Sequence, residues 1–204
     1  MSTAPRLETI SVADYLAGEE TSKTKYEYVA GRVYAMAGAR NVHNRIASRA
    51  LVSFGRQLSS SDGEAYNSDT KVRIRRNEHS YFYYPDTMVV CESNPDEDTF
   101  QDKPVLIVEV VSESTRRIDE GEKREHYLSI ETLHAYVLLE QDQVAARVFA
   151  RDENNRFVET IYHGHQAVIE LAPLNLSRVI RTLRWHGTAQ YPLANLVAQD
   201  VVVH

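Results

Sequence analysis

Cysteine is almost absent. Cys91 is the single one in 204 residues, which excludes an intramolecular disulfide and fits a reducing compartment. No apolar run approaches the ~20 residues that a membrane-spanning helix needs. The opening Met1-Ser2-Thr3-Ala4-Pro5-Arg6 lacks the apolar core of a signal peptide, so a cytoplasmic location without membrane contact is the expectation. An excess of positive charge is missing too. The formal net charge is −6, whereas generic DNA binders present a strong positive field. A local basic strip can still hold phosphates, and a cluster of metal-binding carboxylates would itself lower the net charge. There is no Gly-x-Ser-x-Gly elbow and no EF-hand loop. Cys91 closes an apolar run, where burial raises a thiol pKa rather than activating it, so a serine or cysteine hydrolase is not expected.

What is present is ordinary in bulk: 43% hydrophobic and 25% charged residues, enough chain for one sizeable core. No repeat or linker divides it. One domain over 1–204 is expected, with its core at about 10–175 and an extension at 176–204. Two stretches stand out. Tyr84-Pro85-Asp86-Thr87-Met88-Val89-Val90-Cys91 and Pro104-Val105-Leu106-Ile107-Val108-Glu109-Val110-Val111-Ser112 are apolar, β-branched runs of strand length. Each carries one carboxylate, Asp86 at the mouth of the first and Glu109 deep in the second. A carboxylate in a buried strand is costly to desolvate unless something positive pairs with it. Two of them on neighbouring strands point to a shared cation.

The remaining elements are expected as follows. Thr9 to Gly18 is a helix capped by Ser11 and stopped at Gly18, and 19–25 is a polar loop. Lys25 to Gly38 is a hairpin turning at Ala30-Gly31, with Glu27 on the face opposite Tyr26 and Tyr28. Asn41 to Leu58 is a helix with an apolar stripe of Ile46, Ala50, Leu51, Phe54 and Leu58, and His43 in its first turn. Glu64–Arg75 and Tyr81–Cys91 are two strands, the first with a basic face of Lys71, Arg73 and Arg75. Glu92 to Lys103 is a solvated acidic loop. A helix follows from about Ile118 to Ile130, in which Asp119, Lys123 and Tyr127 share a face. Strands follow at Leu133–Glu140, Val144–Ala150 and Arg156–His163, then Ala167–Leu171. Leu176–Leu183 is a short helix candidate, and the tail with Trp185 and Val201-Val202-Val203 docks on the body or on a second subunit.

This order, with Pro-Asp opening one strand and Glu109 inside the next, resembles the PD-(D/E)XK nuclease superfamily. The run from Tyr84 to Val90, then Pro104 to Thr115, then Asp119, Lys123 and Tyr127 resembles more closely a bacterial family of restriction-endonuclease-like proteins, formerly a domain of unknown function. Tyr26-Glu27-Tyr28-Val29-Ala30-Gly31-Arg32-Val33-Tyr34 and His43 match that family as well, and the resemblance spans roughly 10–175. It implies an α/β fold of the α+β type: a restriction-endonuclease-like core whose central mixed sheet is flanked by helices, with an N-terminal helix and hairpin. It further implies a metal-dependent endonuclease acting on DNA, with Mg²⁺ or Mn²⁺ as cofactor and a homodimeric assembly.

Phosphodiester hydrolysis needs a cation to offset charge building on the phosphate. Mg²⁺ prefers oxygen ligands and takes only a few from protein. Asp86 and Glu109 would supply two, and the resemblance adds the backbone carbonyl of Val110. One position departs from the superfamily pattern. The lysine expected two residues after the glutamate is Val111 here. Lys123, on the following helix, is the candidate replacement, because a long side chain can reach the same point from another backbone. Its competing role is a simple pair with Asp119 on an exposed helix face. Glu27 either faces solvent beside Lys25 or Arg32 or joins the site. His43 either contacts phosphate or is an ordinary polar residue, and Asp69 is a weaker acidic candidate. Two other functions stay open on these residues: a nuclease fold without catalysis serving as a binding or assembly module, and a metal-dependent hydrolase of another substrate.

Overall fold

Proline and asparagine turns break the two longest strand patterns, and those breaks create the architecture. The structure is a computed structural model that describes residues 9–58, 63–164, 168–171 and 182–184. Instead of one strand from Glu64 to Arg75 there are two, β3 (Glu64–Asn67) and β4 (Lys71–Arg76). Between them Asn67 Oδ1 accepts the Asp69 amide at 3.0 Å, a side-chain turn that competes with strand pairing. The return is broken likewise into β5 (His79–Tyr83) and β6 (Thr87–Val90) around Pro85, which has no amide hydrogen to give a ladder. β4 pairs with β5 and β3 with β6, so the chain leaves one sheet and joins another at both breaks.

The first sheet has the order β2-β1-β5-β4-β7. β1 (Tyr26–Val29) and β2 (Arg32–Ala35) form the expected hairpin, with Ala30 and Gly31 both at positive φ. β7 (Phe100–Gln101) corrects the solvated loop: both residues are buried and run parallel to β4. The second sheet has the order β11-β10-β9-β8-β6-β3, mixed because β8 (Pro104–Val111) runs parallel to β9 (Ala135–Glu140). β10 (Ala145–Arg151) and β11 (Phe157–His163) complete it.

Helix α1 (Val12–Thr21) is capped by Ser11 but continues past Gly18, whose carbonyl accepts the Ser22 amide. Helix α2 (Asn41–Leu58) packs Ile46, Ala50, Phe54 and Leu58 against Leu106, Val108 and Val110 of β8. The alternate β8 residues Ile107 and Val111 face Tyr127, Tyr136 and Leu138. Strand period two therefore places Glu109 on this second face.

The β8–β9 crossover differs most from a regular helix. It starts at α3 (Arg116–Ile118), widens to a π-helical stretch Asp119–Lys123 and ends as α4 (Arg124–Tyr127). Such π turns inside helices are frequent at functional sites. β12 (Val168–Glu170) pairs with β13 (Thr182–Arg184), so residues 182 and 183 belong to a strand, not the expected helix. The rest of that helix and the tail with Trp185 and Val201-Val202-Val203 lie outside the described residues. No described helix is long and apolar enough to cross a membrane. The mixed sheets with flanking helices are the expected fold class.

Candidate active site

β5 ends at Tyr83, and after Tyr84 and Pro85 comes Asp86, in the bend where the chain passes between sheets. β6 begins only at Thr87, paired with Val108, so Glu109 and Val110 extend beyond the last β6 pair. The Val110 amide, lacking a strand partner there, donates to Asp86 Oδ2 at 2.7 Å. The Asp86 amide donates to Glu109 Oε2 at 3.2 Å. These reciprocal bonds hold the two carboxylates together. In a strand the amide and carbonyl of one residue point to the same side, so the Val110 carbonyl opens on the same edge.

Glu109 is 4% exposed and Lys123 7%. Lys123 Nζ lies 2.7 Å from Glu27 Oε1, 3.4 Å from Glu109 Oε1 and 3.9 Å from Asp119 Oδ1. The exposed Lys123–Asp119 pair considered from the sequence is therefore corrected: both residues are buried, and the pair belongs to the cluster. Glu27 faces neither solvent nor Lys25 or Arg32. His43, in the first turn of α2, brings Nε2 to 3.2 Å from Asp86 Oδ2. Four carboxylates thus surround one lysine and one histidine.

The electrostatics follow from that imbalance. Burial pushes the Glu109 carboxyl well above its ordinary value; Lys123 opposes the rise, while Asp86, Asp119 and Glu27 add to it. Burial raises Asp119 in the same way against Lys123 and Thr115. Burial would lower Lys123, but Glu109, Glu27 and Asp119 outweigh it and hold the ammonium charged. Burial would lower His43 as well, and the hydrogen bond and charge of Asp86 raise it. Among the described residues no three His, Cys, Asp or Glu side chains are grouped as a ready ligand cage. The converging donor set is two carboxylates and a carbonyl edge.

Two contributors were visible in the sequence beside Lys123 but carried no site role there. Tyr127 OH donates to Glu109 Oε1 at 2.9 Å, and its spacing from Lys123 was the available signal. Asp119 was legible only as a partner of Lys123, since nothing in the sequence marks the π turn that carries it inward. Asp69 is not part of the group. Its carboxylate pairs with Lys25 and lines a separate cavity of about 530 Å³ with Lys71 and Tyr84, which shares no residue with the cluster. The basic face of β4 is also mostly neutralised. Arg73 binds Asp102 through Nε and Nη2 and Lys71 is buried beside Tyr84 and Glu19, while Arg75 is exposed and makes no ion pair among the described residues.

Comparison with known proteins adds the following. The family model Uma2, described as "Putative restriction endonuclease", matches residues 12–183. An uncharacterized protein of Synechocystis sp. is 31% identical over 169 residues, covering 82% of this chain and 87% of its own length. A second from the same organism is 29% identical over 175 residues, covering 84% and 98%. A crystal structure from Anabaena variabilis, described as a putative nuclease belonging to DUF820, matches with a TM-score of 0.62 at 14% identity. It covers 78% of this chain and 85% of that one, a likeness of fold.

Proposed function

Because the chain belongs to the Uma2 family, we propose that it is a metal-dependent endonuclease hydrolysing phosphodiester bonds of DNA. The observation that carries this reading is the convergence of Asp86 and Glu109 just before β6, where the Asp86 amide donates to Glu109 and the Val110 amide to Asp86, with Lys123 Nζ 3.4 Å from Glu109. The donor set fits Mg²⁺ or Mn²⁺, hard cations that take few protein oxygens. Two buried carboxylates, Glu109 and Asp119, and two half-buried ones, Glu27 and Asp86, outnumber Lys123 and His43, and a divalent cation would favour their ionised forms. Asp86, Glu109 and the Val110 carbonyl would hold it. When bound, the cation supplies Lewis acidity against the charge that builds on the phosphate.

The chain's own residues do the rest. The Val110 amide and His43 fix Asp86 Oδ2, and Tyr127 fixes Glu109 Oε1. Lys123 presents a charged ammonium that orients the attacking water or stabilises negative charge in the transition state. Glu27 and Asp119 keep that ammonium in place. Val111 is buried on the same face as Glu109, in the apolar cluster that includes Ile107 and Tyr127. The lysine is thus supplied from the crossover instead of the strand, and this supports an active site over a degenerate one.

Plasmid nicking with and without Mg²⁺ tests the reading, comparing the intact chain with Asp86→Ala, Glu109→Ala and Lys123→Ala. Metal-dependent nicking lost in all three is the expected result. Equal activity in all four proteins removes the site. Metal binding without cleavage of any nucleic acid returns the chain to a binding module or another hydrolase.

A further inference from the structure

Glu27 and Tyr34 are direct cross-strand partners in the β1–β2 hairpin, and so are Val29 and Arg32. Directly opposed residues in an antiparallel pair project to the same face. Glu27 identifies that face, because its Oε1 lies 2.7 Å from Lys123 Nζ. Arg32 and Tyr34 therefore stand on the face that borders the carboxylate cluster, one strand further out. Among the described residues β2 is the edge strand of this sheet. Tyr34 is 50% exposed. The other exposed large apolar side chains are Ile10, Val52, Ile118, Val158 and Ile161, so among the described residues Tyr34 is the one aromatic in this class.

From Tyr34 the chain runs through Ala35-Met36-Ala37-Gly38-Ala39 to Arg40 and enters α2, whose first turn carries His43 to Asp86. One short, largely exposed segment joins the neighbour of Glu27 to the neighbour of Asp86. Arg32 and Arg40 are exposed and make no ion pair among the described residues; Arg45 and Arg75 share that state, so it is their place along this margin that singles the two out.

We propose that this margin binds unpaired nucleotides, with Tyr34 stacking on a base and Arg32 and Arg40 holding the adjacent phosphates, so that the centre acts on single-stranded DNA. An exposed ring offers a face on which any base stacks. In a duplex that base face is already covered, and exposing it costs unstacking energy. Two arginines neutralise only about two phosphates, so stacking on an uncovered base has to carry much of the affinity. A net charge of −6 supplies no long-range field to make up the difference. The placement rests on the nuclease reading of the centre, but the test does not.

Binding is measured by fluorescence anisotropy of a short labelled oligo-dT and of a duplex of equal length, in EDTA, so that no cleavage is required. The single strand binds more tightly than the duplex. Tyr34→Ala weakens it roughly ten-fold or more, while Tyr34→Trp, which keeps a π-face, retains it. Removing Arg32 and Arg40 together makes the slope of log affinity against log salt shallower by about 1.4. Unchanged binding by a normally melting Tyr34→Ala, equal or tighter duplex binding, or no binding of the single strand overturns the proposal. If this pattern holds but no metal supports cleavage, the nuclease reading fails and the binding site stands. If duplex is cut and Tyr34→Ala cuts it equally well, the reverse is true.

Discussion

Replacing Lys123 with methionine keeps a flexible apolar stem and removes the ammonium. That ammonium is 2.7 Å from Glu27, 3.4 Å from Glu109 and 3.9 Å from Asp119. With an effective dielectric near 20, each contact amounts to roughly 4–6 kcal/mol of bare attraction, much of it offset by the desolvation of both groups. Removing one partner leaves buried charge uncompensated, which costs about 3–5 kcal/mol. For a chain of this size that lowers Tm by roughly 6–20 °C. Lys123→Arg restores the charge on a wider, planar head. It should recover part of the stability and little of the cleavage. The assay is thermal and urea unfolding in EDTA, run beside plasmid nicking in Mg²⁺. If Lys123→Met melts like the intact chain and still nicks, the ammonium neither balances the carboxylates nor serves the reaction, and the reasoning is refuted.

Three further perturbations address other parts of the molecule. Saturating Mg²⁺ or Mn²⁺ should stabilise the intact chain, by about 2.7 kcal/mol at a hundred times Kd, and leave Asp86→Asn unmoved in calorimetry; equal shifts would remove Asp86 from the ligand set. Burial works against ionisation of Asp102, but the hydrogen bonds and charge of Arg73 outweigh it and hold the carboxyl below its usual range. The folded state therefore binds this proton less tightly, and the stabilisation is present above the unfolded value near ~3.9 and lost as pH falls through the folded one. Urea midpoints of Asp102→Asn should lie below those of the intact chain at neutral pH and converge with them in acid; parallel curves would contradict the pairing. Phe54→Ala empties a fully buried position between α2 and β8 and should cost about 3–5 kcal/mol, read from urea unfolding. A loss under 1 kcal/mol would mean that α2 is not anchored there.

Local pattern carried much of the secondary structure. The Ala30-Gly31 turn, the apolar stripe of α2 and the continuous β8 run are short-range signals, and each element lies where they place it. Elements whose limits depend on distant partners were less legible. The alternation from Glu64 to Arg75 says nothing about a change of sheet at Asn67. Phe100-Gln101 sits in an acidic loop and becomes a strand because β4 is beside it. The crossover begins at Arg116 and takes a π turn, placing Asp119 and Lys123 inside where a regular exposed helix face was the alternative.

The sequence by itself indicated that the runs carrying Asp86 and Glu109 form neighbouring strands, and β6 and β8 do pair, with Asp86 in the bend just before β6. It also determined that a lysine, if needed, had to come from outside β8, because Val111 stands at the usual position. Only the tertiary structure decided which lysine and which helpers. Lys123, Glu27, His43, Asp119 and Tyr127 come from three separate regions of the chain, and their distances from Asp86 and Glu109 are set by packing among β1, α2 and the crossover. Periodicity gives the face on which a residue stands; which other element that face meets depends on long-range packing.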